Sequence, residues 1–301
     1  MRIVTALLIL LIVGVVERRD ALGDEPRAYR VEYNASPAGA MSRSYYFDLV
    51  TQVLIETEGE FGPARLRKVP EDVPQARLLA LLAHHDLDLL WTTTNKQREA
   101  MVEPIRIPLD MGLTGRRALV IRADRKAEFD AIKNIQQLAR LKACQGAFWP
   151  DTAVLRAAGL RVVEMDWIDL AYPALKDGRC DYLPRGLSEI DGEVAAMKEP
   201  GVMVYDRLLL SYTLPMYLFV APQEPELHRR MTIGLQRMAR SGALHRFMQQ
   251  HPTTRDIFPL SRYEGARVLV LTNPDLPAQT PTDDPQLWID ISAGDSQRPK
   301  S

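Results

Sequence analysis

The stretch LDLLWTTTNKQREAMVEPIRIPLDMGLTGRRALVIR, residues 87–122, decides the fold of this chain. It begins with a largely apolar run, Leu87–Trp91, continues through three threonines into a charged helical turn with Arg98, and ends in an apolar strand, Arg117–Ile121. A polar loop at the carboxyl end of a buried strand is where α/β sheets usually hold small ligands. Arg98 is a candidate ligand contact there, because a guanidinium fits a carboxylate in bidentate fashion. The alternative is a surface arginine in the first turn of a helix.

The composition is that of a globular protein with balanced charge. Of 301 residues, 46% are hydrophobic and 26% are charged, which is ordinary for one large or two medium globular domains. Because 38 basic side chains stand against 39 acidic ones, no basic field favours nucleic acid or an anionic membrane as a partner. Any partner must therefore be recognised locally. Separately, we expect a monomer that binds a small molecule.

The first 23 residues have the layout of a secretory signal peptide. Arg2 precedes the apolar run Ile3–Val13, and the small-residue site Ala21-Leu22-Gly23 predicts cleavage before Asp24. The run is shorter than the roughly 20 apolar residues that a bilayer-spanning helix needs. Charges at residues 17–20 are atypical of a cleaved signal, so an uncleaved anchor is the alternative. Both interpretations predict a periplasmic protein.

Strands and amphipathic helices alternate along the remaining chain. From Tyr29 to Leu90 the order is β-α-β-α-β with short connections, which predicts a parallel sheet with helices on its faces. A strand-like run, Ile105–Leu109, follows. The pattern then restarts with a helix at Ile132–Leu141 and, later, a helix at Thr152–Ala158 that Asp151 can cap.

Cysteine and histidine usage bears on disulfides and metals. Cys144 and Cys180 are the only cysteines. They are a disulfide candidate in an oxidising compartment, but their apolar, strand-like surroundings favour buried free thiols. The pair His84-His85 heads the one cluster of candidate metal ligands, and adjacent helical histidines point to different faces. We expect no metal and no cofactor.

The order of these elements resembles a known architecture. The threonine-rich loop before Arg98, the Arg117–Ile121 crossover and the Leu214–Val220 return are similar to those of the two-lobed periplasmic solute-binding proteins of ABC transporters, of the polar-amino-acid type (family 3). The resemblance implies an α/β, type II periplasmic-binding fold. Each lobe is then a mixed, mostly parallel sheet flanked by helices, and two hinge strands join the lobes.

The resemblance also implies a domain division. After the signal peptide at residues 1–23, we expect lobe one at residues 24–120 and 214–272, lobe two at residues 121–213, and a proline-rich C-terminal tail at residues 273–301. Trp288 is the candidate to dock that tail.

The family's ligand motifs match this sequence in part. A Ser/Thr followed five residues later by an arginine holds the ligand's α-carboxylate in that family, and Thr93 and Arg98 have that spacing, with Asn95 in place of a second hydroxyl. In the glycine-threonine loop of lobe two, Thr152 is present and the glycine is missing. Two tryptophans that could stack on a ring complete the candidate ligand contacts, which are Trp91, Thr93, Asn95, Arg98, Trp149, Thr152 and Arg185.

Arg185 departs from the family's pattern. It stands near the place of an aspartate that binds the ligand's amino group, after the matching motif Gly178-Arg179-Cys180-Asp181. An arginine facing the cleft would repel a desolvated ammonium group by several kcal/mol. This disfavours a free α-amino acid, and Arg98 with Arg185 could instead hold a dicarboxylate, another organic anion or the acidic end of a larger solute. Together with the resemblance, we expect a small anionic or zwitterionic solute. The alternative for Arg185 is a salt bridge to Glu189, four residues on.

The resemblance implies a function in solute capture. An extracytoplasmic binding protein would trap an amino-acid-like solute or organic acid between the lobes and pass it to an inner-membrane permease, with no catalytic residue and no enzyme activity. Some proteins that resemble this family are cyclohexadienyl dehydratases, for which Glu189 or Asp151 would be the acid in the cleft. A ligand sensor that reports to a membrane receptor is the third alternative.

Overall fold

The computed structural model describes residues 26–33, 37–70 and 75–291. The predicted signal peptide and the last ten residues of the predicted tail lie outside the described residues. Within the described ranges, no helix combines the length and the apolar character needed to span a bilayer.

The strands form two mixed sheets. The strands are β1 (Arg27–Tyr33), β2 (Ala64–Pro70), β3 (Leu89–Thr93), β4 (Pro104–Ile105), β5 (Arg116–Arg122), β6 (Lys142–Gly146), β7 (Arg161–Met165), β8 (Tyr182–Gly186), β9 (Val202–Ser211), β10 (Met216–Val220) and β11 (Arg267–Val270). A five-stranded sheet has the order β2-β1-β3-β10-β4, and a six-stranded sheet has the order β11-β9-β5-β8-β6-β7. We call the first sheet with its helices lobe one and the second with its helices lobe two.

Helices flank both sheets. They are α1 (Pro37–Glu56), α2 (Glu58–Phe61), α3 (Gln75–Ala83), α4 (Lys96–Met101), α5 (Lys126–Asp130), α6 (Ile135–Leu138), α7 (Pro150–Ala157), α8 (Ile168–Lys176), α9 (Ile190–Met197), α10 (Pro225–Arg240) and α11 (Ala243–Gln250). Leu227, Met231 and Leu235 recur at helical spacing on one face of α10, and all three are fully buried. One apolar core runs from α1 and α10 of lobe one into α8 and α9 of lobe two.

The predicted fold class is confirmed. β1 pairs in parallel with both β2 and β3, which is the parallel sheet that the β-α-β-α-β order predicts. In lobe two, β6 pairs in parallel with β7 and β8. The antiparallel partners β10 and β5 make both sheets mixed.

The strand pairing differs from the predicted course of the chain at two places. The predicted hinge strand Arg117–Ile121 is part of β5, which lies inside the sheet of lobe two between β9 and β8. The chain therefore crosses from β4 to β5 in the non-strand segment 106–115 and from β9 to β10 in segment 212–215, which we call the first and second crossovers. It passes to the sheet of lobe two once more between α11 and β11. Residues 214–272 were assigned to lobe one, but β11 pairs in parallel with β9 of lobe two. β11 satisfies backbone groups that would otherwise lie at an open edge of β9.

Two predicted elements are shorter than expected. The strand predicted at Ile105–Leu109 is reduced to the two residues of β4, since Pro108 has no N–H to donate to a sheet. The helix predicted at Ile132–Leu141 begins only at Ile135, because the Asn134 side chain caps it by accepting from the backbone N–H of Gln137.

A disulfide joins Cys144 of β6 to Cys180, two residues before β8. The expectation of buried free thiols is therefore wrong. Both cysteines are fully buried, as expected, but β6 and β8 are neighbours in the sheet and bring the two Cα atoms to 5.5 Å. That separation lies within the usual range for a disulfide.

Candidate ligand-binding site

A cavity of about 130 Å³ lies between the two lobes. Cavities of similar volume in other proteins accommodate a molecule the size of benzene, so this one suits a single small solute. Lobe one supplies a wall of uncharged side chains, and lobe two supplies a wall that is mostly charged.

The lobe-one wall is built at the end of β3. Trp91, Thr92 and Thr93 line the cavity there, with Tyr46 from α1 and Met216 from the start of β10. The ring centroids of Tyr46 and Trp91 are 6.3 Å apart. Thr93 is paired with Met216 across the β3–β10 ladder, so the sheet itself fixes this surface. The wall offers aromatic faces and hydroxyl groups.

Arg98 lies behind the lobe-one wall. The Asn95 side chain caps α4 by accepting from the backbone N–H of Arg98 at 2.8 Å, which places Arg98 in the first turn. Its guanidinium donates to the Thr92 hydroxyl at 2.7 Å and to the Thr93 carbonyl at 2.6 Å. It also donates to the Phe148 carbonyl of lobe two at 2.9 Å. Arg98 therefore ties the two lobes together.

Burial changes the acidity of this arginine without removing its charge. Arg98 is 6% exposed, and desolvation lowers the pKa of its guanidinium to about 10, an effect that the negative charge of Asp151 opposes. At neutral pH it remains cationic.

A chain of ion pairs forms the lobe-two wall. Arg117 pairs with Asp151 at 2.7 Å and with Glu189 at 3.2 Å. Arg185 pairs with Glu189 at 2.9 Å and donates two hydrogen bonds, of 2.7 and 2.5 Å, to the Glu193 carboxylate. We call these five residues the lobe-two network. Each is less than 9% exposed, so the network is largely desolvated.

The pairing of Arg185 corrects one expectation. The sequence suggested an arginine that faces the cleft and repels an ammonium group. Instead Glu189 and Glu193 neutralise its charge, and its guanidinium carbon lies 4.5 Å from the Trp149 ring centroid in a cation–π contact. The predicted alternative, a salt bridge from Arg185 to Glu189, is confirmed.

Two carboxyl groups near the cavity have raised pKa values. Burial raises the pKa of Glu193 from the usual 4.5 to about 7, and Glu189 adds to the rise while Arg185 opposes it. Burial also raises the pKa of Asp110, although its carboxylate accepts hydrogen bonds from the Thr114 backbone N–H and the Ser188 hydroxyl, which oppose the rise.

The charges around the cavity are nearly balanced. Two buried arginines and three buried carboxyl groups line it, namely Arg117, Arg185 and Asp151, Glu189, Glu193. Fully ionised, the set carries one excess negative charge. A bound solute that brings a cationic group would offset that excess.

The structure brings four of the seven predicted contacts to the cavity. Trp91, Thr93, Trp149 and Arg185 line it. Arg98 lies behind the wall and Asn95 serves as a helix cap. Thr152 does not line the cavity, since its hydroxyl donates to the Gly146 carbonyl at 2.8 Å.

Sequence reasoning missed other residues that line the cavity. Arg117 was interpreted only as the start of a hinge strand, although a charged residue at the end of a buried strand is a signal for a buried ion pair. Asp151 was expected to cap a helix at Thr152 and was named as a cleft acid only in the dehydratase alternative, but α7 begins at Pro150 and the Asp151 carboxylate pairs with Arg117. Glu193 gave no motif signal.

One cluster of the described residues has the donor set for a metal ion. The Nε2 atom of His85 lies 3.0 Å from an Asp88 oxygen and 3.2 Å from a Glu224 oxygen. Both carboxylates already accept bidentate hydrogen bonds, Asp88 from Arg30 and Glu224 from Arg27. The arginines neutralise the carboxylates, so we interpret the cluster as an ion-pair network.

Comparison with known proteins adds fold information. No protein-family model and no curated protein sequence matches this chain. Among solved structures, it is similar to a Salmonella typhimurium periplasmic binding protein with high arginine specificity, with a TM-score of 0.54 and 14% identity over 74% of this chain and 98% of that one.

Two further structures are similar. An amino acid ABC transporter substrate-binding protein from Streptococcus pneumoniae, bound to L-arginine, has a TM-score of 0.52 and 13% identity over 67% of this chain and 80% of that one. An ancestral amino-acid-binding protein, a precursor of cyclohexadienyl dehydratase, has a TM-score of 0.52 and 14% identity over 74% and 94%.

These likenesses and the interlobe cavity define a class. The chain has the two-lobed fold of the periplasmic binding proteins, and its structural neighbours include substrate-binding proteins of amino acid ABC transporters. At 13–14% identity, these likenesses show the fold alone.

Proposed function

We propose that this protein is an extracytoplasmic solute-binding protein that captures a small amino-acid-like zwitterion between its lobes and delivers it to a membrane transporter. The observation that carries the proposal is the interlobe cavity, which has an uncharged aromatic and hydroxyl wall on one side and a buried ion network on the other.

The charge balance favours a zwitterion over a dicarboxylate. An ammonium group placed against the lobe-two network would meet its excess carboxylate, whereas a dicarboxylate would add two negative charges beside the three carboxyl groups of the network. The solute's carboxylate would face Thr92 and Thr93, whose hydroxyls can donate to it. The cationic Arg98 directly behind them lowers the electrostatic energy of an anion there.

The compartment and the partner follow from the same class. The Cys144–Cys180 disulfide is typical of an oxidising compartment, which fits the periplasm. The structural neighbours include ABC transporter components, so a membrane permease is the partner that we propose for a monomeric binding protein.

A thermal-shift screen of the mature protein tests this function. Ligand binding stabilises the native state by mass action, and a solute at about 100 times its Kd adds roughly 2.7 kcal/mol. We expect amino acids to raise the melting temperature by several degrees, and dicarboxylates, small peptides and sugars to leave it unchanged. A shift caused only by dicarboxylates or sugars would contradict the zwitterion assignment.

Binding without chemistry is the function that the ion pairs favour. Asp151 and Glu189, the candidate acids of a dehydratase, are both engaged in buried ion pairs with Arg117, at 2.7 and 3.2 Å. We expect no dehydration of prephenate or arogenate by the purified protein. Turnover that disappears in a Glu189→Gln variant would replace our proposal with the enzymatic alternative.

A further inference from the structure

The tail that follows β11 is fastened to the first and second crossovers, segments 106–115 and 212–215. We call residues 273–291 the strap. It leaves the sheet of lobe two at β11, reaches the start of α4 in lobe one, and then returns to the first crossover, segment 106–115. Each end of its path is held by specific contacts.

The first attachment joins the second crossover to lobe one. The Asn273 side chain donates to the Thr213 carbonyl at 2.9 Å. Two residues later, the Asp275 carbonyl accepts from the backbone N–H of Lys96 at 3.2 Å, and the Lys96 ammonium donates to the Pro274 carbonyl at 2.9 Å. Lys96 is the first residue of α4, the helix that carries Arg98.

The second attachment joins Trp288 and Ile289 of the strap to the first crossover. The indole N–H of Trp288 donates to the Pro281 carbonyl at 2.8 Å, which fixes the ring within the strap. The ring packs so closely on Gly112 that there is no room for a Cβ atom at that position. The next residue, Ile289, is buried and donates its N–H to the Met111 carbonyl at 2.9 Å.

The strap contacts Met111 and Gly112, which have the backbone conformation expected of hinge residues. Met111 and Gly112 have φ angles of 50° and 83°, so two successive residues of the crossover adopt the left-handed conformation. That conformation is strained for a side chain such as methionine and persists where surrounding contacts hold it. Hinge motion in two-lobed proteins is absorbed by a few such residues that change φ and ψ.

We propose that the strap is a conformational restraint that holds the hinge at Met111 and Gly112 and thereby narrows the range over which the two lobes open. Because it fastens both crossovers, the strap resists rotation about either one. This restraint goes beyond the proposed solute binding and does not depend on which solute the cavity accepts.

The interlobe distance without any solute tests the restraint. Spin labels at Arg77 of α3 and Gln136 of α6, both exposed, report the separation of the lobes by double electron–electron resonance. We expect Trp288→Ala, and more strongly a chain that ends at Thr272, to broaden the distribution and extend it to longer distances. Gln286→Ala is the matched control, because that side chain is exposed on the strap and should change nothing.

Hydrogen exchange supplies a second readout on the same variants. The backbone N–H groups of Met111, Leu113 and Gly115 donate to carbonyls within the first crossover itself, so deleting the strap removes none of these bonds directly. We expect exchange there to be at least about tenfold faster in Trp288→Ala than in Gln286→Ala.

If the chain that ends at Thr272 does not fold, the interlobe distances and the hydrogen exchange of Trp288→Ala alone test the strap proposal. Unchanged distances together with unchanged exchange in Trp288→Ala would overturn the strap proposal, whatever the solute screen shows.

Discussion

The two walls of the cavity differ in how they are made. The lobe-one wall consists of uncharged side chains at the end of a sheet, and its one buried cation, Arg98, is turned to backbone carbonyls and to the Thr92 hydroxyl. The lobe-two wall consists of ion pairs, and the Cys144–Cys180 disulfide links two strands of the same sheet. The two lobes therefore contribute different properties to the site. Lobe one provides shape and hydroxyl groups, and lobe two provides charge.

The same comparison explains why stability should be unevenly distributed. Buried ion pairs are costly to desolvate, and each depends on its partners remaining in place. Removing one charge from lobe two should therefore be more damaging than removing a comparable group from lobe one.

The largest expected effect is that of Arg185→Ala. This change leaves Glu189 and Glu193 buried with an arginine missing, which should lower the free energy of unfolding by about 3–5 kcal/mol. Urea denaturation followed by circular dichroism measures it. Lys126→Ala, which breaks an exposed pair with Asp130 of the same lobe, is the control and should have little effect. Equal losses of unfolding free energy in the two variants would contradict the claim that the buried charges of lobe two stabilise the fold.

The disulfide should have the next largest effect. A Cys144→Ala/Cys180→Ala double variant frees a loop closed over a sequence separation of 36, and the chain-entropy model predicts a loss of about 2–4 kcal/mol. Oxidised wild-type protein and the double variant are compared by equilibrium unfolding. A transition midpoint that does not move would show that the bridge adds nothing to the rigidity of lobe two.

Arg98→Ala should have a smaller effect on stability. The carbonyls of Thr93 and Phe148 lose a donor, and unsatisfied buried acceptors cost about 1–3 kcal/mol. Because one of these bonds crosses between the lobes, solute affinity should fall together with stability. Arg106→Ala, at a more exposed arginine of lobe one, is the matched control for calorimetry. Wild-type solute affinity in Arg98→Ala would show that Arg98 does not contribute to solute binding.

The smallest effect is a pH dependence that originates in lobe two. The pKa of the Glu193 carboxyl rises from its usual 4.5 to about 7 in the folded protein. Between these two pH values the folded protein therefore binds a proton that the unfolded chain does not. The contribution of Glu193 to the free energy of unfolding therefore falls as pH rises from about 4.5 to 7. Above pH 7 the ionised carboxylate adds negative charge, so a zwitterion should bind several-fold more tightly at pH 8 than at pH 5.5.

Glu193→Gln is the control for this pH dependence. A glutamine does not titrate, so both trends should be weaker in the variant than in the wild type. If the variant shows the same pH profiles as the wild type, the titrating group lies elsewhere.

Each wall was predicted only in part from the sequence: Trp91 and Thr93 of lobe one and Trp149 and Arg185 of lobe two line the cavity. Trp91, Thr93 and Arg98 lie within one short strand-loop-helix segment, where local spacing determines which side chains meet. The lobe-two network joins Arg117 to Glu189, which are 72 residues apart and meet only because β5 and β8 are neighbours. Periodicity shows that a strand is buried but does not identify its neighbour.

The course of the chain after β10 shows the same limit. Trp288 was the candidate to dock the tail, and its ring packs closely on Gly112 of the first crossover. The pairing of β11 with β9 was not predictable from pattern, because a four-residue strand satisfies an edge that only the assembled sheet presents.

Isothermal titration calorimetry of one variant tests the central claim most directly. The amino acid that gives the largest thermal shift is titrated into wild-type protein and into Glu189→Gln, which keeps the shape of the side chain that bridges Arg117 and Arg185 but removes its charge. We predict a Kd at least about tenfold weaker in the variant, equivalent to about 1.4 kcal/mol. Equal affinity in folded samples of both proteins would contradict the assignment of solute recognition to the lobe-two wall.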